Sequence, residues 1–394
     1  MRSKILITIG CLLIISTNIS GQNSISKVLR EIEKNNLELK QLKQQNKAEL
    51  FQLKGEYTLE NPSFEYSYLK GKNGVEGEEK EFGVSQNFDF PTVYSARKKM
   101  ITSKEKQLEF IFKEKRQNLL FKVNQLLIEY VYSQRFKEHV IEHLEKVDQL
   151  KADYKKKLEV GDINILEYNK VTVQSVNTEF KLGEVNRKIS EIENELCTLN
   201  GCSPIELINL DYNLVTIESN FETFFENYKS SDASLKNIEE QKFLNEQFVN
   251  FSRANALPKF NVGYKFREEL GQKFNGFQIG MSIPLWQFKN SKKSVLFKQK
   301  ESKIALVNYK NNLKSSLKSK FESYFQLKKN FEVFQNSINE IKRVELLEKA
   351  LNYGEISTIT FFNEMNFYHE AIETSMFLER ELKLLEIELS KYKL

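Results

Sequence analysis

Two stretches of 69 residues, 92–160 and 285–353, contain neither glycine nor proline. Each starts just after a proline, Pro91 or Pro284, and stops just before a glycine, Gly161 or Gly354. Glycine and proline are the residues least compatible with a helix interior, so gaps of this length predict helices. At 1.5 Å per residue each helix spans about 100 Å. The interior pattern agrees. Val140, Leu144, Val147, Leu150, Tyr154 and Leu158 recur every three or four residues, with charged residues between them, as in KADYKKKLEV. Such a narrow apolar stripe suits a coiled-coil seam better than the broad face of a globular helix.

The two gaps end alike. LEVGDINIL (158–166) and LNYGEISTI (351–359) each place glycine before an acidic residue and isoleucine. Glycine ends helices by taking positive φ, and Asp162 or Ser357 is expected to cap the helix that follows. Helical patterning then resumes, so each long helix turns back through a tight tip into a shorter returning helix.

The likeness extends upstream. NPSFEYSY (61–68) matches LPKFNVGY (257–264), and GVSQNFDFP (83–91) matches GFQIGMSIP (276–284). Within each, apolar and polar residues alternate with period two, the signature of strands. The polar links 71–80 and 268–276 separate them, and helical segments precede them at about 24–56 and 218–254. The chain therefore reads as one module used twice. Repeat 1 covers 22–200, with strands about 62–69 and 82–90, a long helix about 94–160, a tip at 160–163 and a return helix to 199. An irregular segment, 201–217, follows. Repeat 2 covers 218–394, with strands about 258–267 and 276–285, a long helix about 288–353, a tip at 353–357 and a return helix to 394.

On the strands, Val84, Phe88, Phe90, Phe277, Ile279, Met281 and Ile283 fall on one face, with Gln86 as an exception, and small or polar residues on the other. Four strands cannot close a barrel, and no other strand-rich segment offers a sheet to cover the apolar face. Within a membrane open edges are not tolerated. Several chains are expected to pool strands with the apolar side toward lipid and the polar side toward a lumen. Three chains supply twelve.

The N-terminus fits export. Arg2 and Lys4 precede the apolar run Ile5–Ile15 and then STNISG, the layout of a signal peptide over 1–21 with Gln22 first in the mature chain. Cys11 lies within the apolar run, which argues against lipid attachment there. No later segment has 18 consecutive apolar residues, so no transmembrane helix is expected. Export permits a disulfide between Cys197 and Cys202; two unpaired thiols near a helix end are the alternative. A net charge of +5 from 59 basic and 54 acidic residues is spread along the chain, unlike the basic patch of a nucleic-acid binder.

Taken together, the duplicated strand–link–strand unit, the NP-x-F strand start at 61–64, the GVSQNFDF strand, the glycine-centred tips and the LNG ending at 199–201 resemble the TolC-like outer-membrane efflux proteins. The resemblance covers nearly all of the mature chain. It implies an α+β membrane protein: a trimeric twelve-stranded outer-membrane β-barrel, four strands per chain, continued by a long periplasmic α-helical barrel. It implies as partners a periplasmic adaptor (membrane fusion) protein and an inner-membrane RND-type pump, with no cofactor and no nucleic acid. It implies adaptor contacts at the tips, at Gly161, Asp162, Gly354, Glu355 and Ser357. Where many members carry an acidic constriction past the second tip, this chain has Thr360 and Asn363, with Glu364 beside them, and Glu167 at the comparable place in repeat 1. Residues 202–217 would form the irregular midway segment around the tunnel. FDFPTVYSARKKM (88–100) looks most like the branch serving heavy-metal efflux. A type I secretion duct would use the same fold, and a soluble periplasmic coiled-coil scaffold is the rival from another class.

One string has catalytic form. His139, Glu142 and His143 make an H-x-x-E-H sequence, a zinc-hydrolase pattern. It lies inside a long helix with no third ligand or pocket in view, so its histidines are expected on a polar helix face, and His369 is expected at a surface or the tunnel wall. No enzyme activity is expected. Phe121, Phe136, Phe321, Phe325 and Phe334 are read as interhelix packing, and Tyr66, Tyr68 and Tyr264 as an interfacial aromatic girdle.

Overall fold

The computed structural model describes residues 22–71, 77–208, 210–212, 216–340 and 344–394. The expected signal peptide, 1–21, lies outside them. So do residues 72–76 of the expected first link, 209 and 213–215 of the expected irregular segment, and 341–343 within the stretch expected as the second long helix.

The first half of the chain runs α1 (Gln22–Asn35), α2 (Leu37–Glu56), β1 (Ser63–Lys70), β2 (Glu78–Phe88), α3 (Pro91–Glu159) and α4 (Ile165–Leu199). The second runs α5 (Phe221–Ser231), α6 (Ala233–Ala254), β3 (Lys259–Glu269), β4 (Gln272–Ser282), α7 (Lys289–Glu340), α8 (Val344–Asn352) and α9 (Thr358–Ser390), ending in a 3-10 turn, Lys391–Lys393. The helix expected at 24–56 is two helices. Asn36 takes an extended ψ and its side chain accepts the Leu39 N–H at 2.9 Å, capping α2. The helix expected at 218–254 breaks the same way at Asp232, whose carboxylate caps α6 through Leu235 N–H. Helical periodicity continues across such a break, and the polar cap that makes it sits within an otherwise helical pattern.

The first long helix begins at Pro91 itself, where proline's missing N–H costs nothing and its fixed φ suits the first helical turn. The largest departure is in the second strand pair. The expected link at 268–276 is strand almost throughout. β3 and β4 meet in a two-residue turn, Leu270 and Gly271, both at positive φ (48° and 77°), the hairpin geometry that matches strand twist. The charged residues that looked like a loop pair across it, Glu268 opposite Lys273.

Two compact units divide the chain, and they do not follow the two expected repeats. Of the described residues, one holds those in 22–34 and 126–212, the other those in 35–125 and 216–394. In the first unit, α4 buries Val171, Thr178, Val185 and Ile192 at seven-residue spacing, with Ser175, Ile189 and Leu196 beside them. Strict sevenfold spacing is the coiled-coil repeat. On α3, Val131, Val140, Val147 and Tyr154 are buried. Ser175 donates to Asp148 (2.6 Å) and accepts from Lys151 (3.2 Å), a polar tie that sets the register of α3 against α4.

The second unit has two apolar clusters. Val93, Met100, Leu244 and Phe251 join α3 to α6. Phe224, Phe225, Tyr228, Leu317, Phe321, Tyr324, Leu382 and Leu389 join α5, α7 and α9, with the Phe224 and Phe321 rings 5.4 Å apart. Glu114 on α3 accepts from Ser234 (2.9 Å) and Asn237 (2.6 Å) on α6. The four strands form one antiparallel sheet in the order β1-β2-β3-β4, leaving β1 and β4 as its edges.

Candidate functional site

The register of the sheet decides which side chains share a face, because directly opposed residues point the same way. One face reads in rows across the strands. Phe88, Phe260 and Met281 form one row. Gln86, Val262 and Ile279 form the next, then Phe64, Val84, Tyr264 and Phe277, then Tyr66, Phe82, Phe266 and Asn275. Beyond them Tyr68, Lys80, Glu268 and Lys273 make a charged row. The apolar rows extend about 20 Å along the strands. Most of their residues are open to solvent, Phe277 at 86%, Ile279 at 80% and Phe64 at 71% exposed, while Val84, Phe260 and Phe266 are half-buried. Gln86, the exception, turns its amide back to the carbonyls of Glu60 (2.6 Å) and Asn87 (3.0 Å).

Phe90 and Ile283, expected in this band, fall outside the strands, since β2 ends at Phe88 and β4 at Ser282. Phe90 packs instead into the α3–α6 cluster, where the chain turns from sheet to helix. Tyr66 and Tyr68 lie at the charged rim, but Tyr264 sits mid-band, its ring 5.8 Å from Phe277.

The opposite face is polar. Lys265 binds Glu81 at 2.6 Å and Arg267 binds Glu79 at 2.7 Å. Asn261 donates to Asn87 (2.7 Å), Asn87 to Glu60 (2.7 Å), and Ser63 meets Ser85 at 2.8 Å. This ladder ends at the junction of sheet and helix, where Asp89 takes an ion pair from Arg97 and another from Lys259 at 3.3 Å. The Arg97 guanidinium lies 5.8 Å from the Tyr57 ring centre and 5.4 Å from that of Tyr94.

At the tips the backbone explains the residues. Gly161 has φ +80° and Gly354 φ +72°. Gly161 N–H donates to Leu158 O (3.1 Å) and Asp162 N–H to Lys157 O (2.9 Å). Gly354 N–H donates to Leu351 O (3.0 Å) and Glu355 N–H to Ala350 O (2.9 Å). These paired bonds are the Schellman closure of a helix end. A side chain on either glycine meets no neighbour within 4 Å, so the demand there is conformational and not steric. Ser357 caps α9 through Thr360 N–H (3.1 Å). In the first tip the cap is Asn164, accepting Glu167 N–H at 3.0 Å, and not Asp162. Asp162 is spent as the second residue of the closure, two positions too early to reach the new helix. Glu167 and Thr360 thus hold the same place, three residues after the cap. Thr360 Oγ1 also meets Ser357 Oγ at 2.8 Å. Asn363 and Glu364 are exposed on the next turn.

No protein-family model and no curated protein matches this sequence. Solved structures do. CusC, whose structures concern folding and transmembrane channel formation, aligns with a TM-score of 0.75 at 14% identity, over 96% of this chain and 95% of that one. The outer-membrane channel CmeC of Campylobacter jejuni aligns with a TM-score of 0.75 at 15% identity, over 94% and 85%. The open state of the Neisseria gonorrhoeae outer-membrane channel MtrE aligns at 0.69 and 11%, over 94% and 88%. The chain has the TolC-like fold of these channels.

Within the TolC-like fold the H-x-x-E-H string lies inside α3. Glu142 pairs with Lys146 at 2.9 Å, which holds its carboxyl below the usual range. His143 is buried and His139 half-buried, against the expected polar face. His143 follows Val140 by three and precedes Val147 by four, so it occupies a stripe position of α3. His369 is likewise buried, four residues after buried Met365 on α9. Among the described residues no group of three or more metal-ligating side chains comes together, and no helix is long and apolar enough to cross a membrane. Cys197 and Cys202 are both free thiols. The junction built on Asp89, Arg97 and Lys259 was not read from the sequence. Its only local signal is the Asp89–Arg97 spacing across Pro91; Lys259 arrives through strand pairing.

Proposed function

We propose that this chain is one subunit of a trimeric outer-membrane duct, the passive exit of a tripartite efflux system. The observation that carries this reading is the band of exposed apolar side chains on one face of a sheet whose other face is an ion-pair and amide ladder. In water such a band leaves several large aromatic and aliphatic side chains unburied, each forgoing about 1.5–3 kcal/mol. Against lipid they are at home, and the band's extent suits an outer-membrane barrel's apolar belt of about 25 Å.

The open edges β1 and β4 call for pairing with other copies, and three copies make a twelve-stranded barrel. Val84, Phe88, Phe277, Ile279 and Met281 then face lipid, and the Lys265–Glu81 and Arg267–Glu79 ladder faces the lumen. Trp286, 85% exposed just past β4, suits the level of the lipid headgroups. The helical hairpins form the periplasmic tunnel, duplicated within the chain. Tips at Gly161, Asp162, Gly354, Glu355 and Ser357 dock a periplasmic adaptor coupled to an RND-type pump, and Glu167, Thr360, Asn363 and Glu364 line the narrowing beyond them. The cargo is metal cations or small toxic compounds, supported by the sequence of 88–100. The duct performs no chemistry; the pump drives transport.

The test is fractionation and conductance. The chain should sediment with the outer membrane, require detergent for extraction, migrate as a trimer until heated, and open long-lived conducting steps in planar bilayers. A monomer released by osmotic shock, without detergent, contradicts the proposal.

A further inference from the structure

The end of α4 brings together two side chains that the duct does not use. Gly201, at φ +67°, closes the helix: its N–H donates to Thr198 O (3.1 Å), and Cys202 N–H donates to Cys197 O at 2.8 Å. This is the same Schellman closure as at the tips, and in it the third residue from the helix end and the second beyond the cap frequently have their side chains in contact. Here both are cysteine. With standard bond lengths, a 2.8 Å bond from Cys202 N–H to Cys197 O keeps the two α-carbons within about 6.7 Å, inside the reach of a disulfide, roughly 4.4–6.8 Å.

Three further features mark the pair. Cys202 has φ +61°, a left-handed conformation that a non-glycine side chain rarely adopts. Strain of this kind persists only where the surroundings hold it. Asn200, fully buried between the two cysteines, supplies that hold: its amide donates to Glu31 Oε1 (3.2 Å) and to Ser203 O (3.0 Å). And Cys202 is exposed with Cys197 partly so, so an oxidant reaches the turn from solvent.

We infer that Cys197 and Cys202 are an oxidisable pair that closes to an intramolecular disulfide after export, fastening the end of α4 to the segment that leaves it. The location rests on the function proposed above; the pairing rests on the turn. The Cys202 thiolate attacks one sulfur of a disulfide donor, a thiol–disulfide oxidoreductase of the exported compartment. A mixed disulfide forms and one donor thiol is freed. The Cys197 thiolate then attacks Cys202 Sγ and expels the second donor thiol. The pair loses two electrons and two protons, and the donor disulfide becomes a dithiol. The bond anchors the start of a segment otherwise tied by Glu206 to Lys27 (3.0 Å) and Asp211 to Arg135 (2.6 Å).

The experiment uses the purified full chain with glutathione disulfide as the probe, followed by alkylation and mass analysis under non-reducing conditions. The expected result is a peptide holding both cysteines, lighter by two hydrogen atoms and closed to alkylation until reduced. The single variants Cys197→Ser and Cys202→Ser should each stop at a glutathione adduct on the remaining thiol. A wild-type chain that stops at the Cys202 adduct, with Cys197 still open to alkylation, overturns the pairing wherever the protein resides. The same assay on chain trapped from cells with a thiol-blocking reagent tests the location. If the purified chain closes while the cellular chain is reduced, the pairing stands and closure after export is overturned.

Discussion

Arg97, on the second turn of α3, binds the carboxylate of Asp89 at the end of β2, and both side chains are largely withdrawn from water. The pair bridges Pro91, where strand gives way to helix, and Lys259 on β3 joins the same carboxylate at 3.3 Å. Removing Arg97 leaves the largely buried Asp89 carboxylate to Lys259 alone. Arg97→Ala is expected to destabilise the second unit by about 3 kcal/mol. Arg97→Lys should recover part of this, keeping the charge but losing the planar group between Tyr57 and Tyr94. Denaturant titration in detergent of both variants, with and without Asp89→Asn, measures the coupling.

The two faces of β4 should respond oppositely to the same charge. Ile279→Arg puts a guanidinium in the apolar rows, at an expected cost of about 2–4 kcal/mol in a lipid-facing position. Gly280→Arg falls on the polar face opposite Asn261 and should cost less while changing single-channel conductance. Equal losses in a bilayer folding assay would mean that the faces are assigned wrongly.

The tips should be separable from the barrel. Gly354→Val forces a β-branched residue into positive φ, at about 1–3 kcal/mol of local strain. Nothing lies close enough to clash, so the damage stays at the turn. Adaptor capture should weaken while trimer insertion is unchanged, read by cross-linking and by heat-modifiable migration. Loss of insertion would remove the tip from its assigned role.

Glu386, on α9, is buried, and burial raises its carboxyl above the usual range despite Lys383 at 2.8 Å. A raised folded-state pKa means that the group's contribution to stability is full below its unfolded pKa and is lost as pH rises through the folded value. Stability of Glu386→Gln relative to wild type should therefore rise from about pH 4 upward. Thermal melts of both proteins at matched ionic strength test the sign; a flat difference between pH 4 and 8 would mean that the carboxyl is not desolvated. Tyr324, beside it and pushed up to about 12 by burial and then by Glu386, stays neutral across that range and leaves the comparison clean.

The first long helix, Pro91–Glu159, and the closures that end both runs were legible in the sequence because their causes are local. Sixty-nine residues without glycine or proline leave the backbone little else to form, and Gly161 and Gly354 mark the positive φ that ends each run. The alternation on the strands was equally local, and it sorted Val84, Phe88, Phe277, Ile279 and Met281 onto one face. Their further assignment to lipid is the proposal made above.

What the tertiary structure alone decided depends on residues far apart in the chain. The β2–β3 register, which sets Val84 opposite Tyr264, joins segments about 180 residues apart in number, and no local pattern encodes it. The hairpin at Leu270–Gly271 was hidden because charged residues read as loop until cross-strand partners neutralise them. The burial of His143 follows from its place on an apolar stripe, which overrides the polarity of its own side chain. At the first tip Asp162 and Asn164 were both plausible caps by type; only the geometry of the closure, which uses Asp162 before the new helix begins, selects Asn164. Local backbone preference is written in each residue and its neighbours, whereas pairing and burial exist only once distant segments have met.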